Sequence, residues 1–199
     1  QHYSPDVPAR LIGHSMGGNV AGLYAGARPE RVAAFVNLEG FGLPDSDPDD
    51  APQRYRAWLE KARGVPAPVE RPGFDMLAEL IARRSPRVEP AQAQFVARCW
   101  AEATPAGQVR LRMHPAHKLP NPVLYRRAEA EACWRRVAAP VLMVAGEDSS
   151  FLARGHPQDG AFDFKLPFPN ASSVLIPGAG HMLHFEAPEA LARHSRDFI

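Results

Sequence analysis

Cysteine is scarce, the charge is balanced and no long apolar run occurs, and each absence removes a class of function. The two cysteines among 199 residues, Cys99 and Cys133, lie in unrelated segments without metal or redox spacing. This excludes a disulfide framework and fits a reduced, cytoplasmic chain with two structural thiols. Twenty-three basic residues against 22 acidic ones leave a net charge of +1, so nothing favours nucleic acid or an anionic membrane surface as partner. The longest apolar candidates, Val32 to Val36 and Val141 to Ala145, are far too short to span a bilayer. The first residue is Gln1 rather than Met, so residues before it are expected, and the lack of a signal peptide carries little weight. No internal repeat or low-complexity tract is present. What remains is a chain with 45% hydrophobic residues, enough to build an ordinary core.

The informative stretch is Leu11, Ile12, Gly13, His14, Ser15, Met16, Gly17 and Gly18. A short apolar strand ending at Ile12 runs into Gly-x-Ser-x-Gly and then into a helix from Met16 to Ala27. Gly13 and Gly17 flank Ser15 because a turn that throws a side chain out of a strand end crowds the backbone, and a β-carbon at either glycine is expected to clash. Gly18, Ala21 and Gly22 let the helix lie close to the strand. Ser15 then sits at the helix N-terminus, where backbone N–H groups favour a developing negative charge.

A second signature lies near the other end: Val174, Leu175 and Ile176, then Pro177, Gly178, Ala179, Gly180 and His181, then Glu186, Ala187 and Pro188. A last strand, a Gly-rich turn carrying one histidine and a Glu-x-Pro helix start supply a general base downstream of the serine. Together the two signatures resemble the α/β-hydrolase superfamily, in which the nucleophile, acid and base follow one another in that chain order. The resemblance implies Ser15 as nucleophile, His181 as base and the backbone N–H of Met16 as an oxyanion donor. For the acid it leaves two candidates. The superfamily usually carries an Asp three residues beyond a Gly after the strand Val141 to Ala145. Here Ser149 occupies that place, and Asp148, one residue short of it, is the first choice. Some members instead place the acid at the end of the preceding core strand, where Asn37, Leu38, Glu39 and Gly40 make Glu39 the competitor.

The expected fold class is α/β: a parallel sheet of the C-terminal strands of the α/β-hydrolase fold, with a mostly helical cap insertion. Residues 1–40 and 137–199 form the core, and residues 41–136 form the insertion. Core strands are expected at Arg31 to Leu38, Pro140 to Gly146 and Ser172 to Ile176. Within the insertion, helices are expected at Ala51 to Ala62, Phe74 to Ala82, Ala91 to Ala103 and Val123 to Val137, and Gly107 to Met113 reads as a short strand or extended loop. A Gly-, Pro- and Asp-rich loop spans Glu147 to Asn170. Trp58, Trp100, Tyr125 and Trp134 recur on the helical segments, where core packing is the default and lining an apolar pocket the alternative.

The strand before Ser15 corresponds to a middle strand of the superfamily sheet, so the resemblance implies that the first half of the sheet lies outside these residues. One of the two oxyanion donors comes from that half. The implied activity is hydrolysis of a small carboxylic ester through an acyl-enzyme, without cofactor or metal. A serine at position 15 excludes the haloalkane dehalogenase and epoxide hydrolase branches, which need a carboxylate nucleophile. The alternative function is an incomplete or non-catalytic binding module with the same pocket. His114, His117 and His156 lack a carboxylate or thiol placed to complete a zinc site, and His184 and His194 are read as surface or packing residues. Gly178 and Gly180 lack the lysine or the dinucleotide spacing of a phosphate loop. Nothing in the pattern bears on oligomeric state.

Overall fold

The computed structural model describes residues 3–64, 66–153 and 166–199, in two compact units: residues 1–44 with 126–199, and residues 45–125. The first unit is built on four parallel strands, β1 (Ala9–His14), β2 (Val32–Leu38), β6 (Val141–Gly146) and β7 (Ala171–Ile176), in the order β1-β2-β6-β7. The two central strands read as near-continuous apolar runs and are buried almost throughout, as parallel strands covered on both faces are. The register pairs Leu38 with His14 on one side and with Val144 on the other, so the C-terminal ends of β1, β2 and β6 lie level. That common edge is where an open α/β sheet presents its ligand-binding loops.

Alternation along β2 divides the core between the two faces of the sheet. Val36 and Leu38 join Leu142, Val144, Ile176, Ala179, Leu183 and Leu191, the last two contributed by α7 (Leu183–Glu186) and α8 (Pro188–Phe198). On the opposite face Phe35 meets Phe168, which in turn meets the buried Trp134 of α5 (Arg127–Trp134). Helix α1 (Met16–Ala27) packs there through its small residues. A β-carbon on Gly18 would stand 2.4 Å from Asn37 Oδ1, and one on Gly26 would stand 1.9 Å from the Cys133 carbonyl oxygen.

In the second unit, α3 (Phe74–Arg84) and α4 (Pro90–Trp100) bury Leu77, Ala78 and Ile81 with Ala93, Val96 and Ala97. The strands β3 (Glu70–Arg71), β4 (Ala101–Ala103) and β5 (Val109–Leu111) form an antiparallel sheet in the order β3-β5-β4. Helix α2 (Ala51–Lys61) has no buried residue. Paired hydrogen bonds close the unit at its neck, from Ser46 N–H to the Tyr125 carbonyl and from Tyr125 N–H to Ser46 Oγ.

Several expectations need correction. The unit boundaries fall at 44/45 and 125/126 rather than at 40/41 and 136/137. Helix α5 belongs with the sheet because Trp134 and Cys133 lie against Gly22 and Gly26 of α1, and because Arg127 ties the Phe41 carbonyl to α5. The helix expected to run to Ala103 ends at Trp100, where Ala101–Ala103 turn into β4 and pair with β5. Residues 123–126 are likewise not helical, and α5 starts only at Arg127. Trp58 and Trp100 are exposed, so of the tryptophans only Trp134 is core. Gly17 is not required by a clash, since a β-carbon there meets nothing within 4 Å, whereas one on Gly13 would lie 2.5 Å from the Gly17 carbonyl oxygen. No helix among the described residues is long and apolar enough to cross a membrane.

Candidate active site

Ser15 occupies the sharp corner between β1 and α1. Its backbone is in the strained positive region, at φ 52° and ψ −116°, and its N–H donates to the Leu38 carbonyl at 2.7 Å, locking the corner to the end of β2. The Ser15 side chain makes no capping bond to the helix it precedes. Its hydroxyl stands 3.1 Å from His181 Nε2 instead. The helix ladder begins with Asn19 N–H on the Ser15 carbonyl, so the amides of Met16, Gly17 and Gly18 have no intrahelical acceptor. They give this end of α1 its partial positive charge.

His181 Nδ1 lies 2.8 Å from Glu39 Oε2. A carboxylate can only accept, so Nδ1 carries the proton and Nε2 is left to accept from Ser15. Glu39 is 3% exposed and follows the end of β2 with φ 57°. Its N–H donates to the Val144 carbonyl, and the next residue is pinned by Asn37, whose buried side chain accepts from Gly40 N–H at 2.9 Å and donates to Gly40 O at 3.0 Å. Of the two candidate acids, it is therefore Glu39 that meets the imidazole. Asp148, the first choice from the sequence, is exposed, and its N–H donates to the Ala179 carbonyl. The reason is local: Ser149 folds inward where an acid was expected, and both ring nitrogens of His181 already have partners.

His14, just before Ser15, donates from Nε2 to the His181 carbonyl at 2.8 Å, and its ring lies 4.8 Å from that of His181, tilted by 44°. Burial pushes the His14 imidazole below its usual range, with the bond to the His181 carbonyl opposing. The His184 ring of α7 lies 4.3 Å from that of His14, tilted by 52°, and burial, reinforced by His14 and His181, pushes it down to about 4. Two imidazoles held toward the neutral form thus stand behind His181. On its other side, Phe151 of the short helix α6 (Ser150–Ala153) lies 4.1 Å from His181, ring to ring. The turn carrying His181 is held by Glu186, which accepts from Gly180 N–H at 2.6 Å.

Serine, histidine and buried glutamate on the edge of a parallel sheet agree with what the chain matches. A family model described as alpha/beta hydrolase fold covers residues 1–188. The chain belongs to the α/β-hydrolase family. It is 28% identical over 201 residues to the "Putative non-heme bromoperoxidase BpoC" of Mycobacterium tuberculosis, covering 92% of this chain and 65% of that one. It is 24% identical over 196 residues to the esterase YbfF of Escherichia coli, covering 96% and 67%. Among solved structures, the hypothetical protein PA1622 from Pseudomonas aeruginosa matches with TM-score 0.76 at 28% identity, over 96% of this chain and 66% of that one. The thioesterase domain from the curacin biosynthetic pathway matches in fold, with TM-score 0.76 at 22% identity, over 97% and 68%. The chain spans about two thirds of the length of the curated relatives it matches.

Within this α/β hydrolase, sequence reading missed the residues that support the three central ones. His14 lies inside the quoted motif, but its bond to a carbonyl 167 positions away leaves no local trace. Asn37 near the end of β2 and Ser149 in the segment after β6 are buried polar residues, a signal visible only once burial is known. Outside the site, His114 Nδ1 accepts from Ala116 N–H and caps the turn Pro115–Lys118. His156 lies outside the described residues. No group of three or more possible metal ligands occurs among the described residues.

Proposed function

We propose that the protein is a serine hydrolase that cleaves a small carboxylic ester through an acyl-enzyme. The observation that carries this reading is the chain of contacts from Ser15 Oγ to His181 Nε2 at 3.1 Å and from His181 Nδ1 to Glu39 Oε2 at 2.8 Å. In the first step His181 takes the hydroxyl proton as Ser15 attacks the ester carbonyl, and the Met16 N–H at the head of α1 stabilises the oxyanion. The imidazolium then gives that proton to the departing alkoxide, leaving the acyl group on Ser15. In the second step His181 takes a proton from water, the resulting attack releases the carboxylic acid, and Ser15 regains its proton. Glu39 is the triad acid in this reading, holding the imidazole tautomer and stabilising its cationic form. The esterase and thioesterase names of matched proteins are in keeping with acyl transfer.

The test uses the protein as it exists. It is labelled with a fluorophosphonate probe and assayed with p-nitrophenyl acetate, against a Ser15→Ala control. Labelling and turnover that disappear in the control support the reading. A wild-type protein that neither labels nor hydrolyses the ester sinks it in favour of a binding module.

A further inference from the structure

The carboxylate of Glu39 is held by more than His181. Gly146 N–H donates to Oε1 at 2.8 Å, and the hydroxyl of Ser149 donates to Oε2 at 2.5 Å, on the same oxygen that receives the imidazole proton. Ser149 is 4% exposed. Its oxygen also accepts from the Phe151 N–H at 3.3 Å, so its single proton is left for Glu39. The Phe151 ring, two residues on, lies against His181. One short segment after β6 therefore touches both the acid and the base.

We infer that Ser149 is a positioning residue for the Glu39–His181 pair: its hydroxyl fixes the rotation of the carboxylate so that Oε2 stays on Nδ1. This rests on the reading of Glu39 and His181 as acid and base. A carboxylate anchored only through Oε1 could turn about its terminal bond and leave the imidazole, because that torsion is broad. A purely local role, in which the Ser149 hydroxyl merely caps α6 through Phe151 N–H, would affect stability and leave turnover per folded molecule unchanged.

The decisive experiment measures kcat, KM and the low-field proton resonance of a carboxylate-bound histidine N–H. It compares full-length wild type, Ser149→Ala, Ser149→Cys and Glu39→Gln. The wild type should show the resonance and Glu39→Gln should lose it. Ser149→Ala should shift the resonance and lower kcat about 10- to 100-fold, the size expected for one charge-assisted hydrogen bond. KM should stay the same, because Ser149 touches no substrate in this reading. Ser149→Cys fills the same space with a weak donor and should also lower kcat, which covers the case in which Ser149→Ala does not fold. An unmoved resonance with kcat within twofold of wild type in either folded variant overturns the inference and leaves the proposed function intact. A wild type without turnover, labelling or resonance overturns both.

Discussion

Ser15 and Glu39 stand side by side at the ends of neighbouring parallel strands, and each holds a positive φ, 52° and 57°. They are the only non-glycine residues to do so among the described residues. The Ser15 N–H reaches the carbonyl of Leu38, immediately before Glu39, so the two corners are braced against each other. Backbone strain of this kind costs about 1–3 kcal/mol per residue and persists only where the surroundings over-determine it. Here they do: the same two corners aim a hydroxyl and a carboxylate at opposite nitrogens of one imidazole.

The choice between the two carboxylates is open to a direct comparison. Glu39→Gln leaves the shape but removes the charge that fixes the His181 tautomer, and kcat should fall by roughly 10⁴-fold. Asp148→Asn should stay within a few-fold of wild type, because Asp148 is exposed and both His181 ring nitrogens are engaged elsewhere. Steady-state kinetics on both variants checks this, and equal losses would refute the placement of the acid at the end of β2.

The assignment of α5 to the sheet unit predicts a contrast between two tryptophans. Trp134 is 1% exposed, packs against Phe168 with the ring centroids 5.6 Å apart and lies under the Arg127 guanidinium at 5.0 Å. Trp134→Ala should lower unfolding free energy by about 3–5 kcal/mol. Trp58, 36% exposed on a helix with no buried residue, should lose far less on the same change. Urea denaturation of both variants decides it, and similar losses would contradict the packing of α5 described above.

The sheet was legible because its signals are local. Continuous apolar runs gave β2 and β6, the glycine-flanked serine gave the strand-to-helix corner at Ser15, and the Gly-rich turn gave His181. The carboxylate that meets His181 was only half legible, since Glu39 and Asp148 both follow core strands and chain order admits either. What separates them is that Ser149 turns inward and Asp148 outward, a difference of one residue in a loop that no periodicity encodes. The boundary near α5 was missed for a related reason. Arg127–Trp134 has the same helical pattern as the insertion helices, and its affiliation depends on the contact of Cys133 and Trp134 with two glycines more than 100 residues away.

Those glycines make a graded test of close packing. Gly26→Ala would drive a β-carbon to 1.9 Å from the Cys133 carbonyl oxygen, and Gly13→Ala would place one 2.5 Å from that of Gly17. Both neighbours are backbone, so something must shift, and a loss of about 1–3 kcal/mol or more is expected for each. Gly17→Ala meets nothing and lies in a helix, where alanine is favoured over glycine by up to about 1 kcal/mol. Thermal unfolding of the three variants should rank Gly17→Ala above the other two. A Gly26→Ala variant as stable as wild type would show that α1 and α5 separate easily.

The packed pair His14 and His184 should make the fold acid-sensitive. His184 is pushed down to about 4 by burial and by its imidazole neighbours, and its Nδ1 is buried without a hydrogen-bond partner. The unfolded chain therefore binds a proton near pH 6.5 that the folded chain accepts only near pH 4. Between those values the unfolded state holds more protons, so stability rises with pH. The contribution of His184 is fully present above pH 6.5 and is lost progressively as the pH falls toward 4. The shift bounds that contribution at roughly 3 kcal/mol, and partial solvent access to the ring reduces it to on the order of 1–2 kcal/mol. His184→Leu removes both the titration and the unpartnered nitrogen. Its urea midpoint should fall less steeply than that of wild type between pH 6.5 and 4.5, with the difference between the two curves levelling off to a constant above pH 6.5. Carboxylates titrate in the same range in both proteins and cancel in the difference, so parallel curves would mean that His184 protonates as readily folded as unfolded.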